Sequence, residues 1–147
     1  MAKRILMPLD QSEVAEAAVS LVADAARGSQ ATVRLLYVAP VPGNRLDEQE
    51  RVVAYADQEM ERLRSEGLDY LQGVQAQLGE TPVECVVRFG DPVPEILAEA
   101  EAFDADLIAV TTTGRSGVSR ALFGSVAEQI LRKADTAVML MRPARPR

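Results

Sequence analysis

Histidine and tryptophan are absent from this chain, and cysteine occurs once, at Cys85. Without histidine there is no Ser-His-Asp type of triad, no imidazole metal ligand and no side chain poised to act as a general base near neutral pH. Zinc would have to be held by carboxylates and a single thiol, a donor set that zinc sites do not favour. Cys85 lies in the apolar run 83–87, which fits a reduced, buried strand residue of a cytosolic protein better than a disulfide or a reactive thiol. Long apolar runs are missing too: none approaches the ~18 residues of a membrane span. The opening Met-Ala-Lys-Arg-Ile-Leu-Met-Pro has two basic residues and only a short apolar run before Pro8 and Asp10, which is not the make-up of a signal peptide. These absences predict a soluble, cytoplasmic protein with no membrane insertion, no catalytic residue to assign and no metal site built by the protein itself.

What is present suits one domain over residues 1–147, with a polar, proline-bearing tail at 142–147 read as flexible. A chain of this length buries roughly 70% of the surface that its unfolded form exposes, so no staples are needed. The net charge of −6 argues against nucleic-acid binding, because a phosphate backbone would be repelled. The sign is unevenly spread: residues 1–114 carry −11 and residues 115–147 carry +5. Arg115 and Arg120 can pair with phosphate oxygens, whereas Arg142, Arg145 and Arg147 read as solvated charge.

Strand-like and helix-like patterns alternate along the whole chain. Strands are expected at Lys3–Leu9, Ala31–Val38, Pro82–Phe89, Ala105–Thr111 and Thr136–Met141, each a nearly continuous apolar run. Between them, apolar residues at three-and-four spacing predict helices over Ser12–Arg27, ended by Gly28, and over Asp47–Leu78, where Gly67 and Gly73 predict a bend or a loosened end. A third helix is expected from Pro92 to about Phe103, capped by Asp91, and a fourth from Ser125 to Lys133. There is no internal repeat. Continuous rather than alternating apolar strands specify an α/β fold: a five-stranded parallel sheet with helices on both faces, in three layers. Ligands of such sheets sit at the carboxyl ends of the strands, here Pro8-Leu9-Asp10 and the segment after Thr111.

Three of the nine glycines fall in Gly114-Arg-Ser-Gly117-Val-Ser-Arg-Ala-Leu-Phe-Gly124-Ser125, between an apolar strand and an amphipathic helix. Glycine admits close approach of backbone amides to an anion, and the helix that follows adds free N–H groups and the positive end of its dipole. The segment therefore predicts a phosphate cradle. It is not a Walker A loop, since it has no lysine, and its spacing is not G-x-G-x-x-G; the second strand ends in Val38-Ala39-Pro40 without an acidic residue for a dinucleotide ribose. A phospho-acceptor domain would want paired carboxylates after the first strand and a lysine after the fifth, where Asp10 stands alone and Met141-Arg142 is found.

The remaining pattern resembles the universal stress protein family over nearly the whole chain. Ile5-Leu6-Met7-Pro8-Leu9-Asp10-Gln11-Ser12 is similar to that family's first strand and Pro-x-Asp-x-Ser turn, with Gln11 where glycine is common. Gly114 through Glu128 is similar to the second half of its G-x2-G-x9-G-[ST] ATP-binding signature, nine residues separating Gly114 from Gly124. Thr111 departs from the glycine of the first position, which would bring a Cβ toward the ligand and disfavour a positive φ. The resemblance implies a Rossmann-like fold of the adenine nucleotide alpha-hydrolase type and ATP, or AMP or ADP, as ligand, with Mg2+ accompanying the phosphates. Pro8, Leu9, Asp10 and Val38 would lie around adenine, and Val110 and Thr111 would border the nucleoside. Gly114, Arg115, Gly117, Gly124, Ser125 and Val126 would surround the phosphates.

Structural roles stand beside these. Asp10 to Glu13 and Ser125 to Glu128 also read as capping boxes; Gly117 also suits a plain turn, and Thr112 and Thr113 an exposed loop. The resemblance further implies that the last strand, an open apolar edge, pairs Thr136–Met141 with its twin in a homodimer. Three functions follow in order: a nucleotide-responsive regulatory protein of the stress response acting on a protein partner, a dimeric interaction module without useful nucleotide affinity, and a slow Mg-dependent ATPase. Neither the stress nor the partner, nor ATP against AMP or a cyclic nucleotide, is specified by the residues.

Overall fold

Unbroken apolar runs become strands buried on both faces. In the computed structural model, which describes residues 3–11, 16–42, 49–112 and 125–142, five strands and four helices alternate. They are β1 (Arg4–Leu9), α1 (Glu16–Ser29), β2 (Thr32–Ala39), α2 (Gln49–Gln77), β3 (Val83–Phe89), α3 (Pro92–Phe103), β4 (Leu107–Thr111), α4 (Ser125–Lys133) and β5 (Ala137–Met141). All four pairings are parallel, in the order β3-β2-β1-β4-β5. Because side chains of a strand alternate between faces, the central strands feed two cores at once. Ile5, Met7, Val33, Leu35 and Ala109 pack with α1 and α2; Leu6, Leu36, Ile108 and Val110 pack with α3 and α4. This is the three-layer α/β arrangement that the apolar runs specify.

Several local expectations are corrected. α1 runs through Gly28 to Ser29, and the left-handed turn residue that closes it is Gln30 (φ 56°). The Ala31 N–H donates back to the Ala26 carbonyl at 2.8 Å, so the return to the sheet is set by backbone bonding rather than by glycine. Asp91 occupies the N-cap position of α3 with Pro92 behind it, but its side chain makes no capping hydrogen bond. α4 begins at Ser125 itself. The Ser125 hydroxyl lies 3.3 Å from the Gln129 amide nitrogen and Glu128 pairs with Arg132, in place of the reciprocal Ser125–Glu128 box.

α2 continues without interruption for 29 residues. At Gly67 it lies close against the sheet: a Cβ there would stand 2.7 Å from Cδ2 of buried Tyr37 and 3.0 Å from Cγ2 of Val87. Gly73, on the same helix, faces open space. Exposed Arg62–Glu66 and Arg64–Glu61 pairs line its outer surface and contribute little each.

The two sheet edges differ. Beside edge strand β3, Glu99 of α3, only 4% exposed, receives Arg34 of β2 at 2.5 Å and Arg88 of β3 at 2.7 Å. Arg34 also pairs with Glu84 at 2.7 Å, stacks over the Phe103 ring at 4.1 Å, and Arg88 pairs with Glu95 at 2.8 Å. Removing one partner of such a buried group leaves an uncompensated charge. β5, Ala-Val-Met-Leu-Met, carries no charge at all.

Opposite signs are expected for two alanine substitutions on α2. Gly67→Ala should destabilise by ~1–3 kcal/mol, because overpacking outweighs helix propensity, whereas Gly73→Ala should stabilise by ~0.5–1 kcal/mol. Urea denaturation of both variants checks this, and equal shifts would contradict the close approach at Gly67.

Candidate functional site

β1 has two partners along only part of its length. It pairs with β2 from Arg4↔Thr32 to Leu9↔Tyr37, but with β4 only at Ile5↔Leu107 and Leu6↔Ile108. Beyond that point β4 stays with β5 as far as Thr111↔Met141. The ladder between β1 and β4 therefore opens toward the carboxyl ends, at the place where strand order reverses. Pro8, with no N–H, cannot extend a ladder there. The helices that follow the two strands pack on opposite faces, α1 on one and α4 on the other, so the strand ends part at the kind of switch point in whose crevice open α/β sheets accept ligands.

The sequence-selected residues distribute around this crevice in distinct ways. Pro8, Asp10, Val38 and Thr111 are half-buried at the carboxyl pole, and Ser125 and Val126 are exposed on the first turn of α4. Leu9 and Val110 are buried with their side chains in the first and second cores, so what they offer a ligand is backbone. Gly114, Arg115, Gly117 and Gly124, with Thr113 and Arg120, lie outside the described residues, as does Glu13. Thr111 ends β4 as an ordinary strand residue, without the positive φ that its place in the glycine signature raised. Thr112 is 6% exposed and its N–H donates to the Met141 carbonyl at 2.9 Å; it is not the exposed loop residue that the sequence left open. That bond ties the start of the loop to the end of β5.

Two features escaped sequence reasoning. Gln11, just after β1, is left-handed (φ 66°); the signal was its standing where the resembling family has glycine. Tyr70 of α2 is half-buried against the first core; burial, with the Asp10 charge adding and the Gln11 backbone opposing, pushes its phenol up to about 12. Spaced seven residues from Leu63, Tyr70 belongs to the inward stripe of the helix, but nothing in the sequence places that stripe near the Asp10 charge.

Among the described residues no group of three or more His, Cys, Asp or Glu is arranged to hold a metal ion, and no helix is long and apolar enough to cross a membrane. Cys85 is half-buried with its Sγ 3.4 Å from Oε1 of Gln75, and burial pushes the thiol up from its ordinary value. A cleft of about 610 Å³ lies at the opposite, amino pole, between the ends of α1 and α2 and the turn 79–82. Its Asp24 carboxylate is taken by Arg27, and no strand ends diverge there.

An open parallel sheet, covered on both faces and split at the carboxyl ends where its order reverses, defines a doubly wound α/β protein. A model of the universal stress protein family matches residues 1–142, and the chain belongs to that family. It is 31% identical over 145 residues to the universal stress protein MJ0531 of Methanocaldococcus jannaschii, covering 95% of this chain and 82% of the relative. The solved structure of the MJ0577 protein matches with a TM-score of 0.82 at 26% identity, covering 99% of each chain. Three further structures share the fold at lower identity. One is a universal stress protein of Archaeoglobus fulgidus in complex with dAMP (19% identity, TM-score 0.59, 95% of this chain and 97% of that one). Another is an Arabidopsis thaliana family protein with AMP bound (15%, 0.60, 97% and 92%), and the third is a universal stress protein in complex with cAMP (21%, 0.61, 97% and 98%).

Proposed function

We propose that this chain is a nucleotide-responsive regulatory protein that holds an adenine nucleotide, ATP in the first instance, in the crevice between β1 and β4. The observation that carries this reading is the parting of the β1–β4 ladder above Leu6↔Ile108, with Asp10 on one lip and Thr111 on the other. The residues fit the ligand. Apolar Pro8 and Val38 suit a base, the half-buried Asp10 suits an exocyclic amine or a water on Mg2+, and the exposed first turn of α4 suits phosphates through free N–H groups and its dipole. Thr111, with an ordinary strand backbone, adds a hydroxyl at the lip without strain. The AMP, dAMP and cAMP held by three proteins of the same fold support the ligand class. Gly114, Arg115, Gly117, Gly124, Ser125 and Val126 complete the phosphate side in this reading, and the response is transmitted in the cytoplasm to a protein partner rather than through turnover.

The second part of the proposal is a homodimer through β5. Edge strands are blunted by charge when they must stay single. β3 itself carries Glu84 and Arg88 in ion pairs, while β5 is uncharged, and Leu131 of neighbouring α4 is 46% exposed. The Thr112 N–H bond to Met141 joins this edge to the lip of the crevice.

Mg-ATP at about 100 times its dissociation constant should stabilise the fold by ~2.7 kcal/mol, a readily measured rise in thermal midpoint. No shift at millimolar ATP, ADP or AMP would contradict the nucleotide reading and favour the dimeric interaction module. Analytical ultracentrifugation should find dimers, and monomers at every concentration would contradict the β5 interface.

A further inference from the structure

We propose that Glu99 fixes the roll of α3 about its own axis: the carboxylate, bridged between Arg34 of β2 and Arg88 of β3, selects a single packing of the helix, and with it the seat of α4, without adding net stability. Only the consequence for a ligand at the first turn of α4 rests on the nucleotide reading.

Both ends of α3 are tied by short links, Gly90-Asp91 to β3 and residues 104–106 to β4. The second is closed by the Ala105 N–H, which donates to the Ala100 carbonyl at 2.9 Å. Links of this length limit sliding, not rotation about the axis. Apolar contact restrains rotation weakly, because it is non-directional and the stripe of α3 is thin where it should grip. Between Val93 and Ile96 at one end and Phe103 at the other, the buried apolar residue is Ala100, whose single methyl group makes few contacts.

Glu99 supplies the direction that apolar contact lacks. It stands about 100° round the helix from Ala100 and is 4% exposed. Nη1 of Arg34 donates to its Oε2 at 2.5 Å and Nη1 of Arg88 to its Oε1 at 2.7 Å. Arg88 is the register partner of Val38, four residues beyond Arg34 on the same face of the sheet, so the two arginines are rooted about 13 Å apart along the strands. One carboxylate meets both in one orientation of the helix. The arginines are themselves held. Nε and Nη2 of Arg34 donate to Oε1 of Glu84 at 2.9 and 2.7 Å, its guanidinium lies over the Phe103 ring at 4.1 Å, and Nε of Arg88 donates to Oε1 of Glu95 at 2.8 Å. Glu95 and Phe103 stand one turn before and one turn after Glu99, so three successive turns of α3 engage the same two side chains. Ala127 and Ile130 of α4 share a core with Val93 and Ile96, and α4 therefore takes its seat from the roll of α3.

Desolvating these charges costs about as much as their attraction returns, which separates choosing a packing from adding stability. Glu99→Gln keeps the shape and removes the charge, leaving both arginines uncompensated, and its urea midpoint should fall by about 1 M. The triple variant Arg34→Met, Arg88→Leu, Glu99→Leu removes all three charges together. Its urea midpoint should return to the wild-type value or exceed it, while the amide resonances of Ile96, Ala100, Ala127 and Ile130 broaden or divide and those of α1 stay single and sharp. A triple variant that fails to fold, or that keeps the lowered midpoint of Glu99→Gln, would make the bridge a source of stability and overturn the proposal. One sharp resonance for each of those four amides in the triple variant would overturn it too, since apolar packing would then fix the roll unaided. So would an unmoved midpoint in Glu99→Gln.

Discussion

β1 is hydrogen-bonded on both sides at its amino end and on one side at its carboxyl end, and the organisation of the carboxyl pole follows from that asymmetry. Unpaired backbone in a sheet centre must be satisfied elsewhere or left to a ligand or solvent. Proline at position 8 removes one such donor from the start. The divergence also sends α1 and α4 to opposite faces, which is the geometry in which open α/β sheets accept ligands. A fully paired β1–β4 ladder would leave Asp10 and Thr111 at the ends of adjacent, sealed strands.

Rigidity around this opening comes from two kinds of contact. On one face α2 is pressed onto Tyr37 at a position where no side chain fits, and its inward residues Leu71, Val74 and Leu78 fill the first core. On the other, Glu99 is bridged by two arginines from β2 and β3 while Val93, Ile96 and Phe103 fill the second core. A buried ion pair of this kind is weak evidence for stability in itself. Its directional bonds tie α3 to β2 and β3, and they place charged side chains on edge strand β3. β5 has neither device, so the two edges of one sheet are chemically unlike.

The fold was legible because continuous apolar strands alternating with three-and-four helices admit few architectures, and the universal stress protein resemblance ran through the same elements. Local punctuation was less legible. Gly28 looked like a helix stop, yet an exposed helix tolerates glycine at modest cost, and the turn closed at Gln30 through a backbone bond. Gly67 looked like an interruption and is instead a contact, a distinction that depends on Tyr37, far away in sequence. Asp91 has the residue type of a cap and the position, but not the bond. At the crevice, Pro8, Asp10 and Thr111 were visible as strand ends, whereas the influence of the Asp10 charge on Tyr70 was not, because it depends on how α2 packs on the sheet. Leu9 and Val110 were chosen by position, and burial assigns their side chains to the cores.

The central claim is that the nucleotide enters where β1 and β4 part. Backbone amide mapping during titration with AMP tests it most directly. The account predicts that the largest shifts fall on Asp10, Gln11, Thr111, Thr112 and the first turn of α4. Shifts concentrated instead on the amino pole, at Ala26 to Ala31 and Gln77 to Thr81, would contradict it.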